Sequence, residues 1–181
     1  LKLLTVEYFL IGNFIVSNII NYMILSKTPF RISFAGGGSD YFNNKSKLKG
    51  RVIVTTINKY IYVALNKRYN QHLRISYSQT ENINNIKSIK HQIIRESLRY
   101  YKITNGVEVV TVADIPSSGS GLASSSALTV GLSNAFRKFK NLNISKKILS
   151  EDACDIEINK CKKPIGMQDQ YSTAYGGLNK I

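Results

Sequence analysis

Pro116-Ser117-Ser118-Gly119-Ser120-Gly121-Leu122-Ala123-Ser124-Ser125-Ser126-Ala127 is the stretch on which the reading of this chain turns. The β-branched run at 107–113 leads into it and predicts a strand buried on both faces. Gly119 and Gly121 would let backbone N–H groups approach a ligand closely. Ser124, Ser125 and Ser126 then open a helix expected over 124–140, with Ala127, Leu128, Leu132, Ala135, Phe136 and Phe139 on one broad apolar face. The first turn of such a helix gathers N–H groups that lack an intrahelical partner, at the positive end of the helix dipole. A phosphate-like anion is favoured there. A serine hydroxyl on that turn can also ligate the Mg²⁺ of a nucleotide. Composition alone leaves two readings open, a phosphate cradle or an ordinary serine N-cap after a flexible loop. The chain holds no GxxxxGK[ST] loop, and the third glycine of a dinucleotide fingerprint is missing.

Outward from this segment, residues 24–34 read as a strand stopped by Gly36-Gly37-Gly38. Residues 51–58 and 60–67 read as two strands of a hairpin turning at Asn58-Lys59, and 73–78 as a further short strand. A polar connection is expected over 82–88. Ile93, Ile94, Leu98 and Tyr101 recur at helical spacing within 90–101, and Ile148, Leu149, Ala153 and Ile156 do so within 145–160. Strands precede and follow helices irregularly. The pattern therefore predicts an α+β fold with a mixed or antiparallel sheet packed on helices, not a doubly wound one.

A chain of 181 residues fits one domain and buries a core without staples. Two cysteines, Cys154 and Cys161, and two histidines, His72 and His91, speak against a disulfide framework, a zinc site or a Ser-His-Asp triad. The cysteines are expected to be packing residues and the histidines surface ones. Lys and Arg number 25 against 11 Asp and Glu, a formal charge of +14. The basic residues are scattered, which favours general solvation or attraction of a small anionic substrate over nucleic-acid binding. Residues 1–22 are apolar but carry Glu7, Asn13, Asn18 and Asn21, too polar for a membrane helix, and lack a signal-peptide cleavage pattern. The first methionine is Met23, and the expectation is a non-native upstream extension over 1–22 with the domain starting at 23.

The order of residues in 116–127 resembles PxxxGLxSS(S/A)A, the second signature of the GHMP kinases, a superfamily that includes galactokinase, homoserine kinase and mevalonate kinase. One extra residue separates Pro116 from Gly121-Leu122. The resemblance implies that Pro116, Gly119, Ser120, Gly121, Leu122, Ala123, Ser124 and Ser125 hold the phosphates of ATP, with Ser125 a ligand of Mg²⁺. Pro29-Phe-Arg-Ile-Ser-Phe-Ala-Gly-Gly-Gly-Ser-Asp40 is similar to the family's first signature. It implies that Gly37, Gly38, Ser39 and Asp40 bind substrate, and that Arg31 neutralises a catalytic carboxylate or the transferring phosphoryl group. Glu157-Ile-Asn-Lys-Cys-Lys-Lys-Pro-Ile-Gly-Met-Gln-Asp-Gln170 resembles the family's helix glutamate followed by a loop with the catalytic aspartate. Glu157 would be the second Mg²⁺ ligand, Asp169 the general base or orienting carboxylate, and Gln168 a substrate contact. The bland alternatives are a strand-surface cation for Arg31 and a helix cap or a turn after the glycines for Asp40; taken singly, Glu157 reads as a solvated helix residue and Asp169 as a turn former. Three signatures in the right order carry the resemblance.

FAGGGSD and GMQDQYSTAYGGLN are similar to one branch, the kinases of D-glycero-D-manno-heptose 7-phosphate, although fucokinase-like enzymes share comparable segments. This implies ATP- and Mg²⁺-dependent phosphorylation of the anomeric hydroxyl to the 1,7-bisphosphate, in cytoplasmic synthesis of activated heptose for surface polysaccharide. Its partners would be a sugar phosphate and MgATP, without nucleic acid or membrane. The alternatives are another sugar kinase of the family, fucokinase- or galactokinase-like, or an inactive truncated fragment. The implied fold is a ribosomal-S5-like N-terminal domain over 23–181. The expectation is that the family's ferredoxin-like C-terminal domain is absent, with an exposed apolar surface and little turnover from these residues alone. Tyr175 is a further candidate for substrate contact.

Overall fold

The computed structural model describes residues 8–10, 23–40, 50–116 and 120–181. Seven strands form one mixed sheet: β1 (Tyr8–Leu10), β2 (Ile24–Ala35), β3 (Ile53–Lys67), β4 (Leu73–Ser76), β5 (Thr80–Ile83), β6 (Val107–Ala113) and β7 (Leu178–Lys180). Their order is β1-β2-β3-β6-β4-β5, with β7 beside the first half of β3, and every pairing is antiparallel except β4 with β6. Helices α1 (Gln92–Tyr100), α2 (Ser124–Phe139), α3 (Lys146–Cys154) and α4 (Gln168–Tyr175) complete the α+β fold that the sequence predicts. Apart from Tyr8–Leu10, which pair with Ile24–Ser26, the proposed extension over 1–22 lies outside the described residues.

α2 organises the core. Every residue from Ser126 to Phe136 is buried, so the helix is enclosed on all sides, not along one face as its apolar spacing suggests. Close approach to the sheet is allowed by Gly131, where an added Cβ would lie 3.0 Å from Thr28 Oγ1 and 3.2 Å from Val63 Cγ2. Asn134 donates to Ser26 Oγ at 3.1 Å, so the buried polar residues of helix and strand satisfy one another. Leu65, Leu73, Ile75, Ile94, Leu98, Val109, Leu132 and Phe136 fill the space between sheet and helices.

Several local expectations are corrected. Asn58-Lys59 is not a hairpin turn: 53–67 is one strand, because both of its halves pair with β2. Pro29 faces Tyr60 while Arg31 faces Thr56, so the polar pair lies in a bulge of the longer strand. β6 is buried on one face only, and Val112 at its far end is exposed. The expected polar connection is entered by a strand, Thr80–Ile83, that pairs with β4, and contains a 3₁₀ turn at Ile86–Ser88. The helix predicted over 145–160 stays α-helical only to Cys154, and Asp155–Lys160 continues as a wider π-helical turn in which Cys161 N donates to Ile156 O. At the end of the sheet near β7, Ile32, Phe34, Ile53 and Leu178 are exposed.

Candidate active site

The bulge in the β2–β3 pair aims the first functional side chain. Along β2, Ile24, Ser26 and Thr28 are buried in alternation, but Phe30 and Arg31 are both buried because the register shifts between Pro29 and Arg31. Arg31 donates through Nε to Asp169 Oδ1 at 2.8 Å, with Nη2 2.6 Å from the same oxygen, and through Nη1 to the Gly121 carbonyl at 2.7 Å. Its backbone N–H reaches Leu122 O at 3.2 Å. One arginine thus ties the strand, the glycine-serine loop and Asp169 together.

Asp169 is the second residue of α4, so the segment read as a loop after Gly166 is a helix start. Burial pushes its carboxyl above the usual carboxylate range. Arg31 pulls against this through its charge and hydrogen bond, while nearby Asp40 and Glu157 push further up. The upward influences prevail. Asp40, 8% exposed, accepts the backbone N–H of Gln168 on Oδ2 at 2.8 Å. It caps the helix that carries Asp169, with its negative charge at the favourable end of the dipole. Gly166 makes room for this contact: a Cβ there would fall 2.0 Å from Asp40 Oδ2. Asp40 Oδ1 and Gln168 Oε1 are both buried without a hydrogen-bond partner among the described residues.

Glu157 lies on the π-helical turn and is fully buried, not a solvated helix residue. Its Oε2 accepts from Ser126 Oγ at 2.6 Å and Gln170 Nε2 at 2.7 Å, and its Oε1 from Lys163 Nζ at 2.8 Å. An uncompensated carboxylate at such depth would cost several kcal/mol, on the order estimated for a buried ion. The three donors offset that cost. Ser126 is read in the sequence only as one of the three serines that open α2, and Lys163 and Gln170 carry no sequence signal of this role. Gln170 lies inside the quoted Gln-Asp-Gln run, while the lysine pair before Pro164 reads as surface.

Gly121 and Ala123 hold left-handed backbone at φ +65° and +61° as the loop turns into α2. Pro116, Ser124 and Ser125 border a groove of about 570 Å³ whose walls include Ile61, Tyr77, His91 and Leu128. His91 is half-buried and caps α1, which corrects the expectation of a surface residue. Gly119 lies outside the described residues. Gly37, Gly38 and Ser39 form an exposed turn in which Ser39 Oγ donates back to Gly36 O. Leu122 packs against the core, Ser120 is half-buried, and Tyr175 stacks on Tyr171. The structure therefore gathers Arg31, Asp40, Gly121, Leu122, Gln168 and Asp169, places Glu157 behind the first turn of α2, and leaves 37–39 on the surface.

A half-buried carboxylate held by an arginine thus stands beside a helix opened by serines. Residues 84–177 match the GHMP kinases N terminal domain, and the chain belongs to this family. It is 32% identical over 171 residues to the D-glycero-alpha-D-manno-heptose 7-phosphate kinase of Campylobacter jejuni subsp. jejuni serotype O:2, covering 86% of this chain and 49% of that protein. A D-glycero-D-manno-heptose 1-phosphate kinase from Bacteriodes thetaiotaomicron superposes with a TM-score of 0.77 at 27% identity, covering 86% and 55% of the two chains. The Methanococcus jannaschii mevalonate kinase shares the fold at a TM-score of 0.68 and 18% identity, covering 87% and 52%. The chain spans about half the length of these relatives.

Proposed function

We propose that residues 23–181 form the nucleotide-binding domain of an ATP-dependent kinase that phosphorylates the anomeric hydroxyl of D-glycero-D-manno-heptose 7-phosphate, giving the 1,7-bisphosphate. The observation that carries this reading is the Arg31 bridge, which holds the Asp169 carboxylate and the Gly121 carbonyl on one guanidinium. A carboxylate so placed can take the proton of an attacking hydroxyl while the phosphoryl group rests on the adjoining loop. Its upward-shifted pKa makes it a stronger base than a solvated aspartate.

The groove suits a nucleoside, with apolar walls for the base and Ser124 and Ser125 at the start of α2 for the phosphates. Lys163 marks a place where a positive charge is already stabilised beside Glu157, so the residues fit a cation. Ser125 and Glu157 are the proposed Mg²⁺ ligands. When bound, the ion would offset charge on the phosphate oxygens. Asp40 and Gln168, each with a buried oxygen that lacks a partner among the described residues, are the proposed acceptors for substrate hydroxyls. The setting is the synthesis of activated heptose for surface polysaccharide in the cytoplasm.

The 32% identity with the heptose 7-phosphate kinase supports this choice of substrate. A second reading, a galactokinase-like enzyme, draws on the 25% identity over 158 residues with the galactokinase of Thermotoga petrophila. The test is transfer from MgATP to heptose 7-phosphate, heptose, galactose and fucose in parallel. Turnover with heptose 7-phosphate and not with the unphosphorylated sugars is expected. Preference for galactose or fucose would overturn the substrate assignment.

A further inference from the structure

His91 stands on the wall of the same groove and has a ring nitrogen to spare. It is the N-cap of α1, and its Nδ1 accepts the backbone N–H of Ile94 at 3.4 Å. A nitrogen that accepts carries no proton, so in the neutral ring the hydrogen is on Nε2. Nε2 has no partner among the described residues. The ring packs edge to face against Tyr77, with centroids 4.8 Å apart at 79°. Tyr77 is itself fixed, donating from Oη to Glu81 Oε1 at 2.9 Å, and Glu81 Oε2 accepts the Lys90 N–H at 2.9 Å. The corner is therefore rigid before any ligand arrives. Burial above all, aided by the charge of Lys163, holds His91 toward its neutral form against the opposing pull of a hydrogen bond with its own backbone and of Glu81.

We propose that His91 is the residue that reads the nucleobase, its Nε2–H donating to a ring nitrogen of a purine lying in the groove beside Tyr77. This rests on the nucleotide-binding role proposed for the groove. Phosphates at Ser124 and Ser125 would fix one end of the nucleotide and His91 the other. The imidazole would then distinguish a nucleotide from a bare polyphosphate.

The test compares ATP with inorganic tripolyphosphate, by calorimetry, in the wild type and in His91→Asn. Asparagine is a good N-cap, so the variant keeps α1 in place while losing the ring. The expected result is a weakening for ATP of about fivefold, the scale of one lost hydrogen bond, with tripolyphosphate affinity unchanged. Equal weakening for both ligands, or no change for ATP, would overturn the proposal and leave the phosphate cradle standing. Binding of neither ligand by the wild type would overturn the nucleotide reading itself and the proposal with it. Nitrogen NMR of the wild type supplies an independent readout that needs no variant, because the chain has two histidines and His72 is exposed elsewhere. The His91 Nε2 resonance should move with ATP and stay with tripolyphosphate. A resonance that ignores ATP would contradict the assignment.

Discussion

Arg31 and Asp169 lie 138 positions apart in sequence, yet Nε and Nη2 of the one converge on Oδ1 of the other at 2.8 and 2.6 Å. The pair joins β2 to the start of α4. Against burial, Asp40 and Glu157, which raise the pKa of Asp169, Arg31 lowers it by its charge and its hydrogen bond.

That asymmetry fixes the sign of a pH effect. Arg31→Met removes both lowering contributions and leaves burial, Asp40 and Glu157 pushing up. A base acts in its ionised form, so a higher pKa moves the acid limb of the rate profile to higher pH. The pH dependence of kcat/KM should show the limb displaced toward alkali in the variant. A limb displaced toward acid, or left in place, would rule out Asp169 as the group that titrates.

Gly166→Ala tests the cap. The new Cβ would fall 2.0 Å from Asp40 Oδ2 and force that carboxylate off Gln168 N. A loss of about 1–3 kcal/mol is expected, the cost of overpacking or of a buried polar group left unpaired, together with reduced turnover. Urea unfolding gives the first and steady-state kinetics the second. Wild-type stability in the variant would show that the contact does not matter.

Ala123 holds φ +61° at the N-cap of α2, a conformation that costs an L-residue about 1–2 kcal/mol. Glycine relieves that strain but gives back part of the gain through a freer unfolded chain. Ala123→Gly should raise stability by up to about 1 kcal/mol. A lower Tm in calorimetry would contradict the strained geometry.

Asp152 gathers three donors from neighbouring helices. Tyr100 Oη lies at 3.0 Å, and Tyr101 Oη and Arg137 Nε at 2.5 Å. Burial above all, with Asp152 next to it, pushes the Tyr100 hydroxyl up to about 12, so it remains a donor throughout the physiological range. Asp152→Ala strands all three and should cost about 3 kcal/mol, as when one partner of a buried ion pair is removed. Thermal unfolding of the variant beside Asp152→Asn measures this, and an unchanged Tm for Asp152→Ala would refute it.

Much of this was legible before any coordinates. α2 begins at Ser124, where the serine run predicts it, and β2 follows the alternation after Met23. The failures share a cause: each depends on a contact that appears only once the chain is folded. Nothing local says that 53–59 and 60–67 answer to the same strand, so Asn58-Lys59 reads as a turn when it is a bulge. The same bulge turns Arg31 inward, which its odd position along β2 does not foretell. Glu157 looks solvated until Lys163, Ser126 and Gln170 are folded around it. His91 looks like a surface residue until Ile94 and Tyr77 lock its ring.

The central claim, that Asp169 serves phosphoryl transfer from the α2 loop, is most directly tested by Asp169→Asn in a single-turnover assay of MgATP with heptose 7-phosphate. Asparagine keeps the shape and can still accept from Arg31, but it cannot take a proton. The account predicts transfer slowed by about 10²–10⁴-fold, the usual contribution of a general base, with ATP affinity within about twofold of wild type. Transfer at the wild-type rate would contradict it.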